Sequence, residues 1–208
     1  MKHIAFIALL CAFAVPAFAN MAVYTNEAAF TAMLQPGYYQ EGFNYAPWLT
    51  IVDPAISTPQ SFAGNGWAYQ ISSPSGLSGQ PIPPPSGSGG AVANYYVGQA
   101  VTVTFTGTLP TAVGGIFFVT DLNGNSISGG TVNISLANGG AYNYADSSNW
   151  DAFTGFISDS PITSMSIQTG QWATMDNFIV GEAVPVPAAV LLGLLGLSAA
   201  GIKLRKHA

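Results

Sequence analysis

Nine carboxylates are the only formally charged side chains between Asn20 and Ile202: Glu27, Glu41, Asp53, Asp121, Asp146, Asp151, Asp159, Asp176 and Glu182. No Lys, Arg, His or Cys stands among them. The four basic residues are Lys2, Lys203, Arg205 and Lys206, the histidines are His3 and His207, and the sole cysteine is Cys11. Such an inventory does little covalent chemistry. There is no imidazole to activate a serine, no thiolate, no Schiff-base lysine and no arginine to clamp a phosphate. Zinc and redox metals lose their nitrogen and sulfur ligands, and a polyanion repels nucleic acid. Two chemistries remain. One is glycoside hydrolysis by paired acids, for which no spacing nominates a pair. The other is coordination of a hard cation such as Ca2+ by carboxylate, amide and carbonyl oxygens.

Three places offer those oxygens. Asp121-Leu-Asn-Gly-Asn125 sets Asp121, Asn123 and Asn125 at alternate positions around a glycine, which suits a calcium loop and, more simply, a hairpin turn. Glu41, in YQEGFNY, and Asp176, in ATMDNFIVG, are lone acids in apolar surroundings. A charge so placed needs a partner, and without basic residues that partner is a cation, a backbone N–H or water. Trp48, Trp67, Trp150 and Trp172, with Tyr69, Tyr95, Tyr96, Tyr142 and Tyr144, offer aromatic faces for sugar stacking or for core packing. Tyr142 and Tyr144 share one strand face, and the expectation is that this face is exposed and binds carbohydrate.

The elements positioning these residues read as strands. Val101–Thr106 and Thr131–Leu136 alternate apolar and hydroxyl or amide side chains, as an antiparallel sheet wet on one side requires. Gly114–Thr120 is a continuous apolar run, expected at a sheet centre. Phe153–Ile157, Ile162–Ile167 and Trp172–Val180 extend the series. Asn65-Gly66, Asn123-Gly124 and Asn138-Gly139 are turn signals, the last expected as a two-residue hairpin loop. One helix is expected over Asn26–Leu34, ended by Gly37. Residues 73–90, rich in Pro, Gly and Ser, read as a loop. Short strands with one apolar face each must bury those faces against a second sheet. The expected fold is an all-β, jelly-roll-like antiparallel β-sandwich over residues 20–182, with a closed barrel as the alternative.

The flanks have another character. Lys2 and His3 precede an apolar Ile4–Val15 and an Ala17-Phe18-Ala19 cleavage signature, so residues 1–19 read as a signal peptide. Cys11 lies inside that leader, which leaves the exported body without a thiol. Residues 183–208 contain an uncharged stretch, Val184–Ile202, followed by Lys203, Arg205 and Lys206. Pro187 suits the first turn of a helix running on through Ala188, and the stretch is long enough to span a bilayer with its basic end in the cytoplasm. The expected product is anchored in the inner membrane and directed outward.

The Val184-Pro185-Val186-Pro187-Ala188 motif, the apolar helix and the terminal basic cluster together resemble the PEP-CTERM sorting signal of exopolysaccharide-producing Gram-negative bacteria. Val186 stands where that family has a central Glu, so the motif is closer to the variant with a VPxPA core. The resemblance implies an exosortase, a membrane cysteine peptidase, as the partner that removes the tail. GGIFFVTDLNGN, NISLANGG, FTGFISDSPITSMSI and ATMDNFIVG are similar to the β-sandwich ectodomains common in those proteins, which implies a cell-surface or matrix location. The resulting expectation is a non-enzymatic surface or biofilm-matrix protein associated with exopolysaccharide and carrying structural calcium. A carbohydrate-binding module and a carboxylate-based polysaccharide enzyme are the alternatives.

Overall fold

The computed structural model describes residues 21–82, 89–146 and 152–185. In chain order they form β1 (Met21–Tyr24), α1 (Glu27–Thr31), β2 (Tyr39–Glu41), β3 (Gln60–Gly64), β4 (Trp67–Ser72), β5 (Leu77–Ile82), β6 (Gly89–Asn94), β7 (Val101–Phe105), β8 (Ala112–Thr120), β9 (Thr131–Leu136), β10 (Ala141–Ala145), β11 (Phe153–Ser158), β12 (Ser164–Thr169) and β13 (Trp172–Gly181). The signal peptide, the membrane helix, Pro187, Ala188 and the basic cluster lie outside the described residues. Among the described residues no helix is long and apolar enough to cross a membrane.

All named pairings are antiparallel, and they make two sheets. The first runs β1-β11-β8-β13-β6-β5, with β2 also paired to β13, and the second runs β10-β9-β12-β7-β4-β3. Val92, Phe117, Val119 and Met175 of the first sheet share one buried cluster with Ile71, Val103, Ile134 and Ile167 of the second. The architecture is therefore a β-sandwich in place of a closed barrel. Its second sheet shows the alternation expected of it: in β9, Val132, Ile134 and Leu136 are buried while Thr131, Asn133 and Ser135 are exposed. In β8 every residue is buried, because the first sheet is covered on its outer side as well. Continuous apolar strands are what two covered faces require.

Part of that cover is α1. Asn26 caps it by accepting a hydrogen bond at Oδ1 from the Ala29 amide at 2.9 Å. The helix is shorter than Asn26–Leu34, closing at Ala32, and it places Phe30, which is fully buried, over β8 and β11. Gly155 and Gly114 are register partners there. A Cβ on Gly155 would lie 2.5 Å from the Phe30 ring, so the glycine makes the hollow that receives it.

The Asn65-Gly66 signal holds: both residues have positive φ, 52° and 86°, between β3 and β4. Asn138-Gly139 forms a longer loop than expected, with Leu136 N–H donating to Gly140 O and only Gly139 at positive φ (95°). This is the three-residue hairpin solution. Residues 73–90 are not simply a loop. Leu77–Ile82 is β5, fully paired with β6, although its sequence LSGQPI has no strand-like alternation.

The folded body reaches slightly past residue 182. Leu34 bridges Ala183, and the Val184 amide donates to Met33 O at 2.8 Å. At the other end Met21 pairs with Ser158 in β1. Met21, Ala22, Glu182, Val184 and Pro185 line one cavity of about 550 Å3, so the two ends of the body emerge side by side.

Candidate functional site

Glu41 ends β2 and is the register partner of Phe178, whereas Asp176 pairs with Ile116 of β8. Between Asp176 and Ile179 the β13–β8 register slips, and Asn177 has φ 47°. This bulge changes which side chains face inward. Ala173 and Met175 point into the intersheet core before it, and Phe178 and Val180 do so after it. Glu41 therefore shares the inner face of Phe178, while Asp176, the residue after Met175, stands on the outer face. The two acids flank one bulge from opposite sides of the sheet.

Their partners differ accordingly. The Glu41 carboxylate accepts from the Tyr39 hydroxyl at 2.6 Å, the Phe43 amide at 2.9 Å and the Tyr45 hydroxyl at 3.4 Å. These neutral donors satisfy the charge without a cation. Burial, and then the Glu41 carboxylate, push the Tyr39 phenol above its ordinary value. Asp176 is 7% exposed and accepts from the Asn177 amide at 2.6 Å. Burial pushes its carboxyl up to about 7, opposed by that hydrogen bond and reinforced by Glu27 and Glu41. Among the described residues no three His, Cys, Asp or Glu side chains are grouped to hold a metal ion.

Asp121, Asn123 and Asn125 do come together, but as a turn. Asp121 Oδ1 accepts from the Asn123 and Asn125 amides, each at 2.8 Å, and Oδ2 accepts from Asn125 Nδ2 at 2.9 Å. These bonds, the Asn125 side chain foremost, hold the Asp121 carboxyl below its ordinary value. Both carboxylate oxygens serve the turn itself. Tyr142 and Tyr144 share a face, as expected, yet that face is half-buried, packed against the core between the sheets. Tyr142 packs edge-on against Phe156 at 6.2 Å, and the Tyr144 hydroxyl donates to Phe117 O at 2.5 Å. In β10 the exposed positions are Ala141, Asn143 and Ala145, so the tyrosine pair is no surface platform. One acid that sequence reasoning did not single out is structural. Asp146 is 2% exposed, and its Oδ2 accepts from the Val119 amide at 2.7 Å.

A different aromatic group borders open space. Where β13 begins, β6 ends and the 51–53 segment crosses, a cleft of about 220 Å3 is lined by Asp53, Gln80, Tyr95, Tyr96, Leu122 and Trp172, among others. The Trp172 indole N–H donates to Tyr95 O at 3.2 Å, and the Tyr95 hydroxyl donates to Asp53 Oδ1 at 2.7 Å. The Tyr95 and Tyr96 rings meet edge to face at 4.9 Å. Tyr95, Tyr96 and Trp172 are visible in the sequence as aromatics. Asp53, 42 residues from Tyr95, has no local signal linking it to them.

No protein-family model matches the chain, and no curated protein matches it either.

Proposed function

We propose that this chain is an exported, non-enzymatic cell-surface or matrix protein, held at the inner membrane by its C-terminal segment and then sorted by an exosortase-like peptidase. The observation that carries the reading is the meeting of the body's two ends. Residues 21–22 and 182–185 line one cavity, and the segments beyond them are the apolar leader and the apolar tail with its basic cluster. A body with nine acids and no base leaves the membrane from one place, consistent with an anchor that retains the positive end. The strand order supports a jelly roll: β6-β13-β8-β11 and β7-β12-β9-β10 are the interleaved sheets formed when eight consecutive strands wind together. Mass spectrometry of surface-extracted protein tests the proposal. The expected species starts at Asn20 and has lost Lys203, Arg205 and Lys206; full-length chain in the cytosol overturns it.

Calcium is the cation we propose for these oxygen donors, with Asp176 the less engaged ligand, because its carboxyl has a single hydrogen-bond donor while the Glu41 carboxylate has three. Thermal unfolding in calcium and in chelator decides it, since an unchanged midpoint removes the ion. The aromatic cleft favours a second reading as a carbohydrate-binding module. Release of reducing ends from polysaccharide by purified protein would replace both with a carboxylate-based enzyme.

A further inference from the structure

We infer that the cleft between the 51–53 segment, the end of β6 and the start of β13 is a binding site for a neutral sugar unit of an uncharged glycan. The inference rests on the surface or matrix reading for its setting and names the ligand class that reading lacks.

The cleft has an apolar floor that folding does not explain. Tyr96 is 58% exposed, Leu122 65% and Ile51 43%, and all three line the same cavity. Scattered exposed apolar residues are ordinary, but a contiguous group around a concavity marks a ligand surface. Aromatic faces suit the C–H faces of a pyranose, and the rings are held in advance. Trp172 is tied to the Tyr95 carbonyl and Tyr95 to Asp53, so little ordering is left for the ligand to impose.

The polar wall carries the Ser78 and Tyr96 hydroxyls and the Asp53 carboxylate. Asp53 Oδ1 is engaged by Tyr95, and no hydrogen bond reaches Oδ2 among the described residues. Gln80 is 2% exposed, and its Oε1 has no partner among them. That oxygen is covered within the fold, 2.5 Å from where a Cβ on Gly124 would stand, which leaves Asp53 as the acceptor the cleft presents. The carboxylate calls for hydroxyl donors and repels anions. With Asp53 on the wall and no Lys, Arg or His between residues 20 and 202, uronic acids and phosphorylated sugars are disfavoured. A quaternary ammonium group would be drawn to the aromatic faces and to the Asp53 charge, but it offers no hydrogen to the carboxylate oxygen left open, whereas a sugar hydroxyl does. The volume, about 220 Å3, falls below the roughly 300–1,000 Å3 of drug-sized sites and suits one ring.

The test uses the full chain in a non-glycosidic detergent, titrated with neutral oligosaccharides of glucose, xylose, mannose and galactose. Saturation-transfer NMR and tryptophan fluorescence read binding, and Trp172→Phe identifies the reporting indole. At least one neutral oligosaccharide is expected to bind saturably. Tyr96→Ala should weaken it about tenfold or more, as loss of an aromatic anchor does. Asp53→Asn should weaken it by a smaller factor, and Asn143→Ala, on the exposed face of β10, should leave it unchanged. Tyr96 is exposed, so its truncation spares the core, and an unchanged unfolding midpoint verifies this. Absence of binding by every neutral oligosaccharide, equal binding by Tyr96→Ala, or preference for choline or an anionic glycan overturns the site. Such failure leaves the export proposal standing, because that is read independently from the termini of the mature protein.

Discussion

The outward faces of the two sheets are built from the same kind of strand and end in opposite conditions. On the first sheet Ile82, Ala91, Ile116 and Phe118 form a buried apolar cluster of their own, and Phe30 and Leu34 cover Ala112, Phe153 and Ile179. On the second sheet the outward rows are hydroxyls and amides. Ser135, Ser166, Thr102 and Ser72 lie in register, as do Ser164, Thr104, Gln70 and Ser61. None of them is charged, although the body carries nine acids. The molecule is thus three-layered around one of its sheets and two-layered around the other. Stability therefore depends on the cover of the first sheet and hardly at all on the outer surface of the second.

Removing the cover of the first sheet should have the largest effect. Phe30→Ala empties the hollow over Gly155 and should cost about 3–5 kcal/mol, as large-to-small changes at fully buried aromatics do; denaturant unfolding measures it. A cost below about 1 kcal/mol, the scale of an ordinary surface or conservative change, would mean that the helix is not part of the fold's stability.

Asp176, on the same covered face, makes the stability of that layer depend on pH. Its folded-state value of about 7 lies above the ordinary 3.8, so the fold holds its proton more tightly than the unfolded chain. The resulting stability is present below about pH 4 and is lost as pH rises through 7. In chelator, Asp176→Asn should leave stability nearly unchanged near pH 4 and raise it at pH 8, by no more than about 4 kcal/mol, with the midpoint moving in the same direction. Thermal scans at both pH values decide it, and a lower midpoint at pH 8 would reverse the sign argued here.

Between the sheets the effect is smaller. Tyr69 is fully buried, and its hydroxyl has no hydrogen-bond partner among the described residues. Its ring packs on Phe62 at 5.4 Å and Phe178 at 5.1 Å. Tyr69→Phe keeps those contacts and should be neutral or stabilising by about 1 kcal/mol in equilibrium unfolding. On the bare face, Thr104→Lys or Ser135→Lys should change stability by no more than about 0.5 kcal/mol. A larger loss there would show that this face, too, is covered.

The same contrast explains what could be read from the residues. Strands of the second sheet such as TVNISL announce themselves, because one wet face writes a period of two into the sequence. GGIFFVT announces a doubly covered strand by its length of apolar run. LSGQPI does neither. Its burial depends on the backbone of residues 47–50 lying directly against it: a Cβ on Gly79 would stand 2.4 Å from Pro47 O and Thr50 O. That approach seats Trp48, 2% exposed, beside Phe43 and Phe62. Such a contact joins segments thirty residues apart and leaves only a glycine as its trace. The candidate site was legible in the same uneven way. Glu41 and Asp176 stood out as acids among apolar neighbours, but their separation across the sheet depends on a bulge at Asn177. The spacing of Tyr142 and Tyr144 puts them on one face, while the layer that face meets is a tertiary fact.

The last strand carries a mechanical consequence. β13 is held along its length by β8 and flanked by β6 and then β2, and three residues after it Val184 leaves the body. Tension applied at that exit loads these ladders in shear, so many bonds must fail together, whereas traction on β10 at the sheet margin would unzip them in sequence. Single-molecule pulling from the two points should record the higher rupture force at Val184.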